Sequence, residues 1–206
     1  MSIKKPLLLE TIKIEDGAVC NLGYHQKRCD KSRKILFNCN DILELSVSIK
    51  APKKGVYRCR ILYNNKIHSI EYLPYTAKKI KALKVISSTI DYNYKYANRD
   101  ALNALMTTHD DVDDILIEKE GYLTDTSISN IAFYDGVQWF TPTTPLLEGT
   151  MRAKLLDEGF LKTKNIRKED LSSYTQVALM NAMIGFKLLK DVKINIQNLE
   201  GTTDDN

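Results

Sequence analysis

Residues 121–131 read Gly-Tyr-Leu-Thr-Asp-Thr-Ser-Ile-Ser-Asn-Ile, and residues 146–152 read Leu-Leu-Glu-Gly-Thr-Met-Arg. The first stretch sets small polar residues and one carboxylate, Asp125, among short apolar runs that read as strands: 114–119, 122–124 and 130–134. Glu120-Gly121 and Asp135-Gly136 supply tight turns between them. The second stretch leaves a loop bounded by Pro142 and Pro145 and opens a helix over about 150–158. Amides at a helix start attract anions, and Gly149 lets a ligand approach the backbone closely. An acid in the first stretch can bind a protonated ring nitrogen, although a β-turn with side-chain caps uses the same residue types.

Upstream, Asp91-Tyr-Asn-Tyr-Lys-Tyr96 leads into a helix over about 98–106. Most lysines are solvated surface charges. Lys95 is set among tyrosines near a junction of lobes, where partial desolvation lowers the pKa and makes the amine competent to form a Schiff base. Tyr92, Tyr94 and Tyr96 alternate, so in an extended chain they share a face with Lys95 opposite. Further upstream, 7–14 reads as a strand, Glu15-Asp16-Gly17 as a turn, and 24–37 as a helix rich in Lys27, Arg28, Lys31, Arg33 and Lys34. His25 and Arg28 share one face of that helix, and Arg28 suits a phosphate; a solvent-facing basic helix is the plainer alternative. A short helix follows Asp41. Residues 56–63 and 67–72 form a hairpin about Asn64-Asn65. Arg58 and Arg60 share a face of its first strand. They are placed either to bind substrate carboxylates or to face solvent on a sheet edge.

Residues 79–88 read as strand or helix, and 176–182 and 188–196 as the last elements. The polar tail from Gly201 to Asn206 is expected to fray. Strand-rich halves with few helices predict an α+β protein of two lobes, a small one over 1–90 and a larger one over 91–206.

The composition excludes several classes. Of 206 residues, 43% are apolar and 27% charged, the balance of a globular chain, and the net charge of +4 lacks the single-sign excess of a dedicated nucleic-acid binder. RNA binding through the helix at 27–34 ranks last, because the acids at 110–114 offset it and no aromatic motif accompanies it. Cys20, Cys29, Cys39 and Cys59 have no metal-site spacing. No apolar run approaches the ~20 residues of a membrane span, and Leu7-Leu8-Leu9 is too short for a signal-peptide core. A cytoplasmic protein with reduced thiols, without nucleic-acid or membrane partners, is expected. The run Asp110, Asp111, Asp113, Asp114 lacks the glycine and distal glutamate of a calcium loop and reads as a solvated loop. GxGxxG, Walker A, HExxH and GxSxG motifs are absent.

The order of these signals carries more than any one of them. Lys95-Tyr-Ala-Asn98-Arg99, Asp114-Ile-Leu-Ile, Gly121 to Ile131, Thr141-Pro142 and Leu146 to Arg152 together resemble the class IV aminotransferases. The resemblance extends upstream through Glu10-Thr11, Asp16-Gly17 and His25-Gln-Lys-Arg28, and downstream to Asn181-Ala182. It implies a two-lobed fold of type IV among pyridoxal 5'-phosphate (PLP) enzymes, and a homodimer. It implies Lys95 as the amine that binds the cofactor and shuttles protons, and Arg28 as a partner of its phosphate. Gly149 and the amides of Thr150 and Met151 would hold that phosphate, with Asn181 and Ala182 in a second loop beside it. Asp125, where the family usually has glutamate, would face the pyridine nitrogen. Because the chain starts close to Glu10-Thr11, the small lobe is expected to be trimmed. Within the family, Lys-x-x-Asn-Arg at 95–99 is similar to the lyase branch, which splits 4-amino-4-deoxychorismate into 4-aminobenzoate and pyruvate for folate synthesis. Branched-chain or D-amino-acid transamination is the alternative activity, and a non-catalytic binding protein on the same scaffold is the alternative of a different class.

Overall fold

The structure is a computed structural model and describes residues 5–196, so the tail at 201–206 lies outside the described residues. Its first sheet is antiparallel in the order β2-β1-β3-β4, with β1 (Leu8–Glu15), β2 (Ala18–Val19), β3 (Val56–Tyr63) and β4 (Ile67–Pro74). The turn between β1 and β2 needs left-handed backbone at two successive residues. Asp16 (φ 48°) and Gly17 (φ 85°) supply it. Strand alternation then divides the sheet into two faces. Leu8, Ile12, Ile14, Cys59, Ile61 and Tyr63 are buried in one core with Cys29 and Phe37 of α1 (Leu22–Phe37). The opposite face carries Leu9, Thr11, Arg58 and Arg60, with Thr11 registered against Arg60. β3 is flanked by β1 and β4, so the solvent-facing edge considered for the two arginines does not exist.

The second sheet runs β10-β9-β8-β7-β6-β5-β13, and β11 pairs with both β8 and β12. Its strands are β5 (Ala82–Ser87), β6 (Asp114–Lys119), β7 (Tyr122–Thr126), β8 (Asn130–Tyr134), β9 (Trp139–Pro142), β10 (Leu161–Lys164), β11 (Gln176–Asn181), β12 (Gly185–Leu189) and β13 (Lys193–Ile196). The ambiguous segment 79–88 is therefore a strand. It lies parallel between β6 and β13, with Leu83, Val85 and Ile86 buried. The chain thus leaves the first sheet after Pro74 and enters the second at Ala82, ahead of the division expected at 90/91. The single last element expected at 188–196 is two strands, broken at Asp191 (φ 56°). α2 (Leu45–Ser48) is a single turn ahead of β3, α3 (Asp100–Thr107) crosses from β5 to β6, and α4 (Thr150–Asp157) packs against α1 and β11.

The acidic run is not a solvated loop throughout. Asp110 and Asp111 are exposed, but Asp113 Oδ2 accepts the backbone N–H groups of Lys81 (2.7 Å) and Ala82 (3.0 Å). Buried Asp114 Oδ1 accepts those of Ile115 (2.9 Å) and Ser127 (3.2 Å). These carboxylates tie the entry of β5 and the 127 turn in place. Among the described residues no cluster of His, Cys, Asp or Glu is arranged to hold a metal ion, and no helix is long and apolar enough to cross a membrane.

Candidate active site

A cavity of about 290 Å³ opens between the two sheets. One wall is the free face of the first sheet: Leu9, Thr11, Arg58 and Arg60, with Tyr75 just past β4. The other is the 125–130 turn, residues 146–150, and the Met180–Met183 turn. Lys95, Tyr92 and Arg99 come from the connection between the sheets.

That connection is not the extended strand its alternating tyrosines suggest. Residues 95–97 instead dock on the β1 edge that two-residue β2 leaves unpaired: Leu9 N–H donates to Lys95 O (2.8 Å) and Ala97 N–H to Leu7 O (2.9 Å). The Tyr92 hydroxyl closes the segment by donating to Tyr96 O (2.6 Å). The Lys95 amine faces the cavity rather than bulk water. Burial pushes its pKa down to about 7, and the Arg28 charge adds to the shift against the opposing pull of Glu10. An amine so placed is largely neutral just above neutral pH and available as nucleophile or base.

Arg28 does not lie on a solvent-facing basic helix. Its Nε and Nη2 donate to the two oxygens of Glu10 (2.8 and 2.6 Å), and Nη1 reaches Glu148 O at 3.3 Å. His25 Nδ1 meets the same carboxylate at 2.6 Å. Glu10 and His25 are wholly buried and line no part of the cavity. Burial pushes the His25 pKa down, so the neutral ring donates from Nδ1 to Glu10. Its bare Nε2 then accepts the Thr150 hydroxyl in a long contact of 3.4 Å. Glu10 thereby fixes Arg28 and, through His25, the first residue of α4. Arg33, also counted in the basic face, is buried and bonded to Asp41 and to Asn65 O, so the helix offers no continuous cationic face to a polyanion.

α4 begins at Gly149 without a side-chain cap, which leaves its first amides for another acceptor. Gly149 and Thr150 line the cavity; Met151 does not, and its sulfur accepts the Asn21 side chain at 3.8 Å. Asn181 and Ala182 line the cavity at the β11–β12 turn. Asn181 shapes that turn by accepting the N–H groups of Met183 (2.9 Å) and Ile184 (3.0 Å) and by donating to Ser129 Oγ (2.9 Å).

Asp125 also lines the cavity. Its oxygens accept Asn130 Nδ2 (2.7 Å) and Leu147 N–H (2.9 Å). Burial pushes its pKa up to about 7, against those two bonds and the Arg152 charge. Among the described residues it forms no ion pair, so a protonated ring nitrogen would be its first cationic partner. Asn130 also donates to Leu147 O (2.8 Å), and its Oδ1 lies against Gly149, where a Cβ would overlap it. Glycine is required there by close approach. Gly149→Ala is expected to destabilise the protein by roughly 2 kcal/mol through overpacking. Gly23→Ala, where a Cβ meets nothing within 4 Å, should be neutral or slightly stabilising. Thermal unfolding of the two variants tests this, and an unshifted midpoint for Gly149→Ala would refute it.

The cavity thus gathers an amine, an anion-binding end with Arg28 and the open amides of α4, and a buried carboxylate. That set fits a ligand carrying an aldehyde, a phosphate and a basic ring nitrogen. The structure brings Lys95, Arg28, Asp125, Gly149 and Thr150 to one cavity, along with Arg58, Arg60, Asn181 and Ala182. The sequence assigned no place in the site to Tyr75, Tyr92 or the Arg99 that donates to Ser127 O at 2.8 Å. It showed Glu10 and His25 without their role, although Arg28 in a buried setting signals a carboxylate partner.

Comparison with known proteins accords with this geometry. The family profile described as Amino-transferase class IV matches residues 7–187. An uncharacterized protein of Haemophilus influenzae is 36% identical over 187 residues, 86% of this chain and 98% of its own. The crystal structure of a candidate 4-amino-4-deoxychorismate lyase from Haemophilus somnus 129PT superposes with a TM-score of 0.78 at 36% identity, covering 89% of this chain and 100% of that one. A candidate aminodeoxychorismate lyase of Schizosaccharomyces pombe is 30% identical over 126 residues, about half of each chain (56% and 54%). With the profile spanning the first sheet, most of the second and every wall of the cavity, the chain belongs to the class IV aminotransferases, PLP-dependent enzymes of fold type IV.

Proposed function

We propose that this enzyme is a 4-amino-4-deoxychorismate lyase that binds PLP and forms 4-aminobenzoate and pyruvate. The observation that carries the reading is the Lys95 amine, held with a depressed pKa in a cavity that Arg28 and Asp125 also line. The lyase branch is favoured by the cationic wall of Arg58 and Arg60, suited to a substrate with two carboxylates. The 36% identity to a candidate lyase over that protein's whole length supports the same choice.

Arg28 and the backbone at Gly149 and Thr150 would hold the phosphate, and the Asp125 carboxylate would keep the pyridine nitrogen protonated. When bound, PLP supplies an electron sink that acidifies the C–H bond beside the substrate amine. Lys95 Nζ takes that proton as the ring–oxygen bond of the enolpyruvyl ether breaks, the electron pair leaving on oxygen. Lys95 Nζ then returns a proton to the departing enol, which becomes pyruvate while the ring is left aromatic. A non-catalytic scaffold would have no use for a buried amine, whose desolvation carries a cost.

Purified protein with PLP should be yellow, and borohydride should bleach it and fix the cofactor on Lys95. Supplied with chorismate, ammonia and an aminodeoxychorismate synthase, it should release 4-aminobenzoate and pyruvate in equal amounts. Amino transfer to 2-oxoglutarate without 4-aminobenzoate would overturn the lyase reading in favour of transamination.

A further inference from the structure

The charges of the cavity wall are unevenly compensated. Arg28 is paired with Glu10, and Arg60 donates to Glu71 at 3.1 Å. Arg58 has no carboxylate partner among the described residues, and its Nε is buried without any hydrogen-bond acceptor. The neighbouring backbone is committed elsewhere: Arg58 faces Lys13 on one side and Leu73 on the other in the strand register. Arg58 lines the cavity, so a ligand bound there can supply the carboxylate partner that the protein itself does not.

Tyr75 stands beside it. Its N–H donates to Val56 O (3.1 Å), continuing the β3–β4 ladder by one step and bringing Tyr75 opposite Val56, two residues from Arg58 on the same face. Its ring lines the cavity wall that carries Arg58. Burial raises the phenol pKa and the Arg58 charge draws it back, so the hydroxyl is a neutral donor within the field of the guanidinium. A guanidinium fork and a phenol O–H on one wall of the cavity suit one planar carboxylate.

We infer that Tyr75 is a specificity-determining residue: its hydroxyl and the Arg58 guanidinium together form the subsite for a carboxylate of the substrate. This rests on the reading of the cavity as the active site and deepens it. Arg58 supplies charge and the fork, and Tyr75 fixes the orientation of the carboxylate and closes the wall with an apolar ring. A substrate with a second carboxylate is thereby favoured over an amino acid that has only the one beside its amine.

The test uses the PLP-loaded enzyme and chorismate, which carries two carboxylates but no amine and cannot be turned over through Lys95. Calorimetric titration should show that Tyr75→Phe weakens chorismate binding about tenfold, the loss of one hydrogen bond to a charged group. Arg58→Gln should weaken it about a hundredfold, and Arg58→Lys should recover only part of that loss, since an ammonium lacks the fork. With aminodeoxychorismate, Tyr75→Phe should raise KM and leave kcat within about twofold, a split that a general loss of structure does not produce. Chorismate affinity within twofold of the parent in either Tyr75→Phe or Arg58→Gln would overturn the inference, as would a parent enzyme that does not bind chorismate. If the variants lose chorismate as described but the parent forms no 4-aminobenzoate, the subsite stands and the lyase reading falls.

Discussion

Lys95→Ala is expected to abolish turnover, by about 10⁴-fold or more, because one amine both anchors the cofactor and carries the proton. Lys95→Arg should be as inactive. It preserves length and charge, but a guanidinium does not deprotonate in a protein and cannot attack an aldehyde. The variants should still fold, since Lys95 is held by its backbone bonds to β1 and makes no side-chain hydrogen bond among the described residues. The pH dependence gives a sharper measurement. With its pKa lowered from 10.5 to about 7, the apoprotein amine is mostly protonated at pH 6 and about nine-tenths neutral at pH 8. Only the neutral form attacks an aldehyde, so the rate of PLP capture should rise with pH through a midpoint near 7 and level off above about 8. Stopped-flow absorbance on mixing apoprotein with PLP from pH 5.5 to 9 reads this directly. A rate still climbing tenfold per pH unit at pH 9 would mean that burial and Arg28 do not act on the amine as described.

The large effect expected at Lys95 follows from a residue legible in the sequence, and the reason is local. Lys95, Asp125 and Gly149 lie in short segments whose order along the chain is characteristic, and each segment needs its residues for its own chemistry. Strand alternation likewise located the β3–β4 hairpin and placed Arg58 and Arg60 on a common face. What alternation cannot convey is which strand lies next to which. It left 79–88 undecided because a parallel interior strand is buried on both sides and loses its period. It overlooked Leu161–Lys164, where only Leu161 is buried and three exposed residues follow. The edge-strand reading of Arg58 failed for the same reason, since nothing local to 56–63 reports that β1 and β4 flank it. In the site, the sequence hid the links between elements distant along the chain. Asn130 Oδ1 against Gly149 is one, the Tyr75–Arg58 corner a second, and the Glu10 carboxylate between His25 and Arg28 a third.

Of these links, the one at Glu10 is expected to matter most for stability. Glu10 is fully buried and accepts three charge-assisted or aromatic N–H bonds, two from Arg28 and one from His25. Glu10→Gln keeps the shape and removes the charge. The new amide N–H₂ must then face an Arg28 donor in either orientation, and His25 as well in one of them, and the Arg28 charge, largely buried, loses its partner. Removing one member of such a pair costs about 3–5 kcal/mol, a large part of the 5–15 kcal/mol typical of a folded domain. The acid titration provides an independent measure. Burial pushes the Glu10 pKa up, but the Arg28 charge and the hydrogen bonds from His25 and Arg28 prevail and hold it at about 2, against 4.5 for an ordinary glutamate. A depressed carboxylate contributes its full stability above the unfolded pKa of 4.5 and loses it as the pH falls toward 2, an interval worth roughly 3 kcal/mol. Urea unfolding should therefore show Glu10→Gln less stable by about 3–5 kcal/mol at pH 7, with the gap to the parent narrowing steadily from pH 4.5 to 2. Because Arg28 is released toward the cavity, the variant should also bind PLP more weakly at pH 7, although Glu10 lies outside the cavity wall. A variant within 1 kcal/mol of the parent at neutral pH, with a gap that does not change on acidification, would show that Arg28 is held by something other than this carboxylate.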